Sequence, residues 1–159
     1  MTSNEGDVAP DLPLTRTRTR PAHRDPGLIA LIVAGGAVGT TVRNLLENAF
    51  PTAPGHWPWA TFGINVTGAF ILGLLLEVLS RSGPDAGWRR RVRLTVGTGV
   101  LGGYTTYSTF AVEVAGLTTD APHVLGAAYA VASVVLGVLG AAGGYLLAVR
   151  AVKHAWRPT

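Results

Sequence analysis

Four glycines and five Ser or Thr hydroxyls are crowded into one apolar stretch, Val96-Gly97-Thr98-Gly99-Val100-Leu101-Gly102-Gly103-Tyr104-Thr105-Thr106-Tyr107-Ser108-Thr109-Phe110. Such a run is a poor recipe for an uninterrupted helix, and a bend near Gly102-Gly103 is expected because glycine tolerates unusual dihedrals. Carbonyls freed by a bend cost several kcal/mol each in hydrocarbon unless something satisfies them, and a hard, oxygen-seeking cation such as Na⁺ would do so. The alternative is close helix packing through small residues. A second set of groups suits the opposite charge. Asn65 lies in another apolar stretch with Thr61 four residues before it, on the same helical face. Tyr107 and Phe110 are three apart, and Thr109 and Glu113 four apart. Amide N–H, hydroxyl and the positive edges of aromatic rings can all meet a small anion that must shed its water, whereas a fixed cation would trap it. Arg43 closes the first apolar stretch, either as an attractor at a vestibule mouth or as a side chain snorkelling to headgroups.

Two apparent motifs carry nothing. Gly97-Thr98-Gly99-Val100-Leu101-Gly102 matches the dinucleotide pattern G-x-G-x-x-G, which has meaning only between a strand and a helix. Asn65-Val66-Thr67 matches a glycosylation pattern inside an apolar span. The four histidines (His23, His56, His123, His154) fall in tails or connectors, and there is no cysteine, so neither a histidine-based catalytic site nor thiol chemistry is expected.

The elements that must position these groups are apolar and long. Four stretches, residues 28–46, 57–79, 94–117 and 124–149, approach or exceed the ~20 residues needed to cross a bilayer. Only 14% of the 159 residues are charged, against roughly 25% in ordinary globular domains, and mean hydropathy is +0.33. Connectors at 47–56, 80–93 and 118–123 are short and carry prolines, which leaves no room for an extramembrane catalytic domain. The expected organisation is a disordered basic tail (1–27), a four-helix transmembrane domain (28–150) and a short C-terminal tail (151–159). The expected fold is all-α, with four membrane helices and a break in the third.

Of 13 Lys and Arg, 12 flank the spans on one side: four in the N-terminal tail, five in or beside the second connector, three at the C-terminus. The first and third connectors have none. The positive-inside rule then puts both termini in the cytoplasm of a multi-pass protein of the cell membrane, so the basic pI reports topology rather than nucleic-acid binding.

Three segments together resemble the Fluc/CrcB family of fluoride channels. Gly35-Gly36-Ala37-Val38-Gly39-Thr40-Thr41-Val42-Arg43 is similar to its glycine-rich run ending in arginine. Trp59-Ala60-Thr61-Phe62-Gly63-Ile64-Asn65-Val66-Thr67-Gly68-Ala69-Phe70 is similar to its G-T-L-x-x-N-x-x-G-S-F stretch. Thr105-Thr106-Tyr107-Ser108-Thr109-Phe110 is close to its T-T-F-S-T-F signature. The resemblance covers residues 28–150. It implies a passive fluoride exporter, not an enzyme, working as an antiparallel dimer with two fluoride pathways and one structural, untransported Na⁺ on the two-fold axis. It further implies that the carbonyls of Gly102 and Thr105 hold the Na⁺. Asn65, Tyr107 and Phe110 would line the pathway with Thr61, Ser108, Thr109 and Glu113, Arg43 would stand at the vestibule, and Tyr129 and Ser133 would add polar positions in the fourth span. Three positions depart from the pattern: Tyr107 for a usual phenylalanine, Ala60 for a glycine and Asn44 for a common aromatic.

A small multidrug exporter, the nearest rival, would need a carboxylate in the first span, which has none. A non-conducting membrane scaffold subunit is the other alternative. An antiparallel dimer of identical chains would need the same sequence to insert both ways, and the one-sided charge opposes that. The expected partner is therefore a paralogous subunit of opposite bias.

Overall fold

The computed structural model describes residues 22–120 and 122–155; most of the expected N-terminal tail, and the last four residues of the expected C-terminal tail, fall outside them. A single turn at Ala22–Arg24 leads into α1 (Pro26–Ala49). Asp25 caps that helix, its carboxylate accepting from the Gly27 and Leu28 N–H groups, and Pro26 stands in the first turn, where a missing N–H costs nothing. α2 (Trp59–Arg81) follows the first connector. Next come a short helix α3 (Gly87–Val92), a wide-wound stretch at Arg93–Val100, α4 (Leu101–Tyr104) and α5 (Tyr107–Asp120). The chain ends its described part in α6 (His123–Ala155). Among the described residues there is no strand.

Three of these helices, Pro26–Ala49, Trp59–Arg81 and His123–Ala151, are long and apolar enough to cross a membrane, with mean hydropathies of 1.5, 1.9 and 2.1. At 1.5 Å rise per residue even the shortest, 23 residues, exceeds the ~30 Å hydrocarbon layer. Their surfaces agree: Val33, Leu45 and Val138 are each more than 60% exposed, which in water would be a large unfavourable apolar area.

The third apolar stretch is helical but not continuous. Around Arg93–Val100 the winding loosens, and the Leu101 N–H reaches back five residues to the Val96 carbonyl. The helix then stops at Thr105, whose backbone is extended (φ −77°, ψ 155°), and restarts at Tyr107. The interruption thus lies two to three residues beyond the expected Gly102-Gly103 bend. Both glycines sit inside α4, and positive φ occurs only at Gly55, Gly83 and Gly87 among the described residues. Gly103 is there for closeness instead: a Cβ on it would strike the Gly36 carbonyl of α1.

That closeness recurs. α1 packs on the third stretch through Gly35 and Gly39 on its side and Gly99 and Gly103 on the other, and α2 packs on α6 with Gly73 against Ala141, Gly140 against Val66 and Gly144 against Phe70. The spacing of four puts each pair on one face, so backbones meet directly, as membrane helices must where apolar side chains gain nothing by leaving lipid. The glycines of the false dinucleotide motif include Gly99, a packing residue. α5 lies along α6, so α2, α5 and α6 converge on the break in the third stretch.

Candidate functional site

Breaking a helix leaves backbone groups that the next turn would have satisfied, and Asn65 of α2 takes over two of them. Its Nδ2 donates to the Thr106 carbonyl (3.0 Å) and its Oδ1 accepts from the Thr106 N–H (2.9 Å). Thr106 is itself the cap of α5: its Oγ1 accepts from the Thr109 N–H (3.1 Å) and lies 3.0 Å from the Thr109 hydroxyl. These bonds have a consequence for two carbonyls. In a continuous helix the Thr106 N–H would donate to Gly102 and the Thr109 N–H to Thr105. With both donors diverted, the Gly102 and Thr105 oxygens lose their helical partners, and these are the two oxygens that could hold a hard cation. Arg43 of α1 approaches one of them, its Nη1 lying 3.4 Å from the Thr105 oxygen. The arginine thus stands at the break itself.

Around the break, α2, α5 and α6 contribute polar groups at two levels, one helical turn apart. The first level holds Asn65, Phe110 and Ser133, which with Thr105, Thr106, Tyr107 and Val134 line a cavity of about 290 Å³. Ser133 is 9% exposed and its hydroxyl has no hydrogen-bond partner. Asn65 has two amide hydrogens and spends one on Thr106, so its second N–H is also available. The rings of Tyr107 and Phe110 lie 6.0 Å apart, tilted at 45°, and Phe110 continues to Tyr129 at 5.4 Å. Tyr107 is the outlier, 80% exposed on the surface of the single subunit.

The second level is closed on itself. Glu113 of α5 accepts from the Thr61 hydroxyl of α2 (2.6 Å) and from the Tyr129 hydroxyl of α6 (2.7 Å). Thr61 and Tyr129 are almost completely buried. Trp57 packs edge-on against Tyr129 with centroids 5.3 Å apart. Beyond this level Thr61, Thr109 and Glu113 form part of the wall of a second cavity of about 400 Å³, which Glu47 and His56 also line. Ser108 is exposed beside the break, 3.3 Å from the Thr106 hydroxyl.

Asn65, Thr61, Thr109, Phe110, Glu113 and Ser133, singled out in the sequence, are therefore drawn into one column, with Tyr107 and Ser108 at its outer edge. Thr106 and Trp57 were missed. Thr106 carried a readable signal, a threonine three residues before another hydroxyl at a helix start; Trp57 carried none, because its partner Tyr129 is 72 residues away.

The Asn65 clamp gives a direct stability test. Asn65→Ala leaves the Thr106 N–H and C=O unpaired, at about 1–3 kcal/mol per buried group. Asn65→Asp keeps an acceptor for the N–H but turns a second carboxylate oxygen toward the Thr106 carbonyl, so ionised it should cost at least as much as alanine. Unfolding of the detergent-solubilised protein with increasing SDS measures both, and wild-type stability for Asn65→Ala would sink the clamp.

Comparison with known proteins gives one consistent answer. The family profile described as "CrcB-like protein, Camphor Resistance (CrcB)" matches residues 30–145. The chain is similar to the fluoride-specific ion channel FluC 1 of Cutibacterium acnes, 45% identical over 116 residues, 73% of this chain and 81% of the relative. It is 46% identical over 134 residues to FluC 2 of Leifsonia xyli subsp. xyli, 84% of this chain and 92% of that one. It is 43% identical over 125 residues to FluC 2 of Nitrobacter hamburgensis, 78% of this chain and 95% of that one. The matched region takes in the clamp, the broken helix and both polar levels, and the chain belongs to the CrcB family.

Proposed function

We propose that the chain is one subunit of a passive, fluoride-specific channel that lets the anion leave the cell and so lowers its toxicity. The observation that carries this reading is the first polar level: an unpartnered Ser133 hydroxyl, a spare Asn65 N–H and the rings of Tyr107 and Phe110 around one small cavity. These are donors and ring edges without a fixed cation on the lining, the combination that replaces the water of a small hard anion and still releases it. The names of the relatives point the same way. Arg43 raises the local positive potential at the break without entering the cavity lining.

The assembly follows the same reading. The wide-wound stretch with α4 and α5 makes the remaining crossing, and two subunits associate antiparallel. In that dimer the Gly102 and Thr105 oxygens of each subunit hold one structural Na⁺ between them. Support comes from the diverted Thr106 and Thr109 donors, which take the helical partners from those two oxygens and leave Thr105 only the long 3.4 Å contact of Arg43, and from the open space beside Gly102. The charge distribution sets the partner: one-sided arginines fix both termini in the cytoplasm, and a paralogous subunit of opposite bias completes the dimer. That partner would supply the usual phenylalanine opposite the exposed Tyr107.

Three measurements test these parts separately. Phe110→Ile removes a ring edge worth ~1 kcal/mol to an anion, so fluoride efflux from liposomes should fall by about five- to tenfold with assembly intact. Wild-type efflux in that variant would take Phe110 out of the path; the assay is run on this chain alone and with a paralogue from its source. Exchanging Na⁺ for a larger monovalent cation should weaken the dimer, read by size-exclusion chromatography, and a dimer indifferent to long incubation without Na⁺ would remove the structural ion. Reporter fusions at the C-terminus should signal from the cytoplasmic side only. Comparable signals from both sides, or strong fluoride flux from this chain purified alone, would restore the homodimer.

A further inference from the structure

At the opposite end of α2 from Trp57 the connector folds back against the helix and leaves a crevice of about 420 Å³. One wall is apolar, made by Leu76 and Leu79, and Leu76 is 41% exposed. The rim is charged, made by Arg89, Arg93 and Asp85. The two arginines are not equivalent. Arg93 is paired with Asp85 in a bidentate ion pair, its Nε and Nη2 reaching both carboxylate oxygens (3.0 and 2.6 Å). That guanidinium holds the Asp85 carboxyl below the usual range, so it stays ionised and neutralises Arg93. Arg81 is likewise paired with Glu77.

Arg89 is held but not used up. Its Nε donates to the Ser82 hydroxyl (3.2 Å), its guanidinium stacks 5.2 Å from the Trp88 ring centre, and it lies close against Gly83, whose φ of +130° bends the chain around it. The two terminal nitrogens, with four N–H donors, make no hydrogen bond among the described residues. A pre-oriented arginine with unused donors matches phosphate geometry. It stands where the apolar part of α2 ends, beside an indole that is 58% exposed and an exposed Arg91, the residue types that settle at a membrane interface.

We propose that this crevice binds an anionic phospholipid, the phosphate on Arg89 and an acyl chain along Leu76 and Leu79. Charge complementarity and the juxtaposition of a greasy wall with a cationic rim select a lipid over a free anion, which would have no use for the wall. The site is about half a helix length or more from the Asn65 column along α2, so it is distinct from that column. It would fix the connector, and with it the start of the broken stretch, to one leaflet.

Native mass spectrometry of the detergent-solubilised protein, titrated with phosphatidylglycerol and with phosphatidylcholine of the same chains, reads the site. Wild type should retain phosphatidylglycerol preferentially. Arg89→Gln should lower that retention about fivefold, the factor that ~1 kcal/mol per basic side chain at an anionic surface represents. Because Arg89 also steadies the connector, Ser82→Ala serves as the companion: it removes that tether, keeps the charge, and should keep the lipid preference. Leu76→Trp fills the crevice and should reduce retention without altering charge. Equal retention of the two lipids, or unchanged retention in both Arg89→Gln and Leu76→Trp, would overturn the proposal. Displacement of phosphatidylglycerol by millimolar inorganic phosphate would overturn it too, in favour of a free-anion site.

Discussion

The bidentate grip of Asn65 on Thr106 is the interaction on which the rest of the site depends. A helix interrupted inside an apolar layer exposes N–H and C=O groups that have no water to turn to, at several kcal/mol each. One primary amide can satisfy one of each, and Asn65 does so from a neighbouring helix, which ties α2 to the restart of α5. The cost of a polar side chain in a lipid-spanning helix is thereby offset by the cost of the break, and neither feature is stable without the other. The Thr106 cap completes the exchange by diverting the Thr109 N–H. What remains is a Gly102 oxygen without its helical donor, a Thr105 oxygen approached only by Arg43, and a spare Asn65 amide hydrogen.

Around this clamp the protein inverts the usual arrangement of polar and apolar groups. The outside is greasy, while Thr61, Thr106 and Tyr129 are buried with their hydroxyls hydrogen-bonded, Thr61 and Tyr129 to the Glu113 carboxylate and Thr106 to Thr109. Glu113 is the hub of the second level, and its two oxygens are each met by a hydroxyl from a different helix, which holds α2, α5 and α6 in register. The ring contacts Trp57–Tyr129–Phe110–Tyr107 run alongside the same column. Glycine seams make such short reaches possible: side-chain hydroxyls can meet only where backbones approach closely.

The two ends of the bundle differ in chemistry. The end with the first connector has aromatic packing and two carboxylates, Glu47 and Glu113, on one cavity wall. The other end has the arginine-rich connector, in which Asp85 and Glu77 each absorb one arginine and leave the surface strongly basic. A subunit so polarised presents different chemistry at its two ends and so differs from its own inverted copy.

The sequence by itself determined the helical class, the apolar stretches, the one-sided charge and the family, because each is written in local order: run length, spacing and motif. It also placed Asn65, Thr61, Phe110 and Glu113 on plausible faces, since residues three and four apart share a face whatever surrounds them. It misplaced the break, because glycine's dihedral freedom and its small size leave the same mark in a sequence; only the Gly36 carbonyl lying over Gly103 shows that size was the reason. It gave Asn65 one role where the fold gives it two, since the sequence separation of 41 between Asn65 and Thr106 hides their pairing. Arg43 was left between a vestibule and a headgroup, and its approach to the Thr105 oxygen, 62 residues on, was decided by the packing of α1 against the third stretch. Spacing along the chain carries information about neighbours on one helix; which helix faces which, and what a broken turn does with its carbonyls, is fixed only when the helices meet.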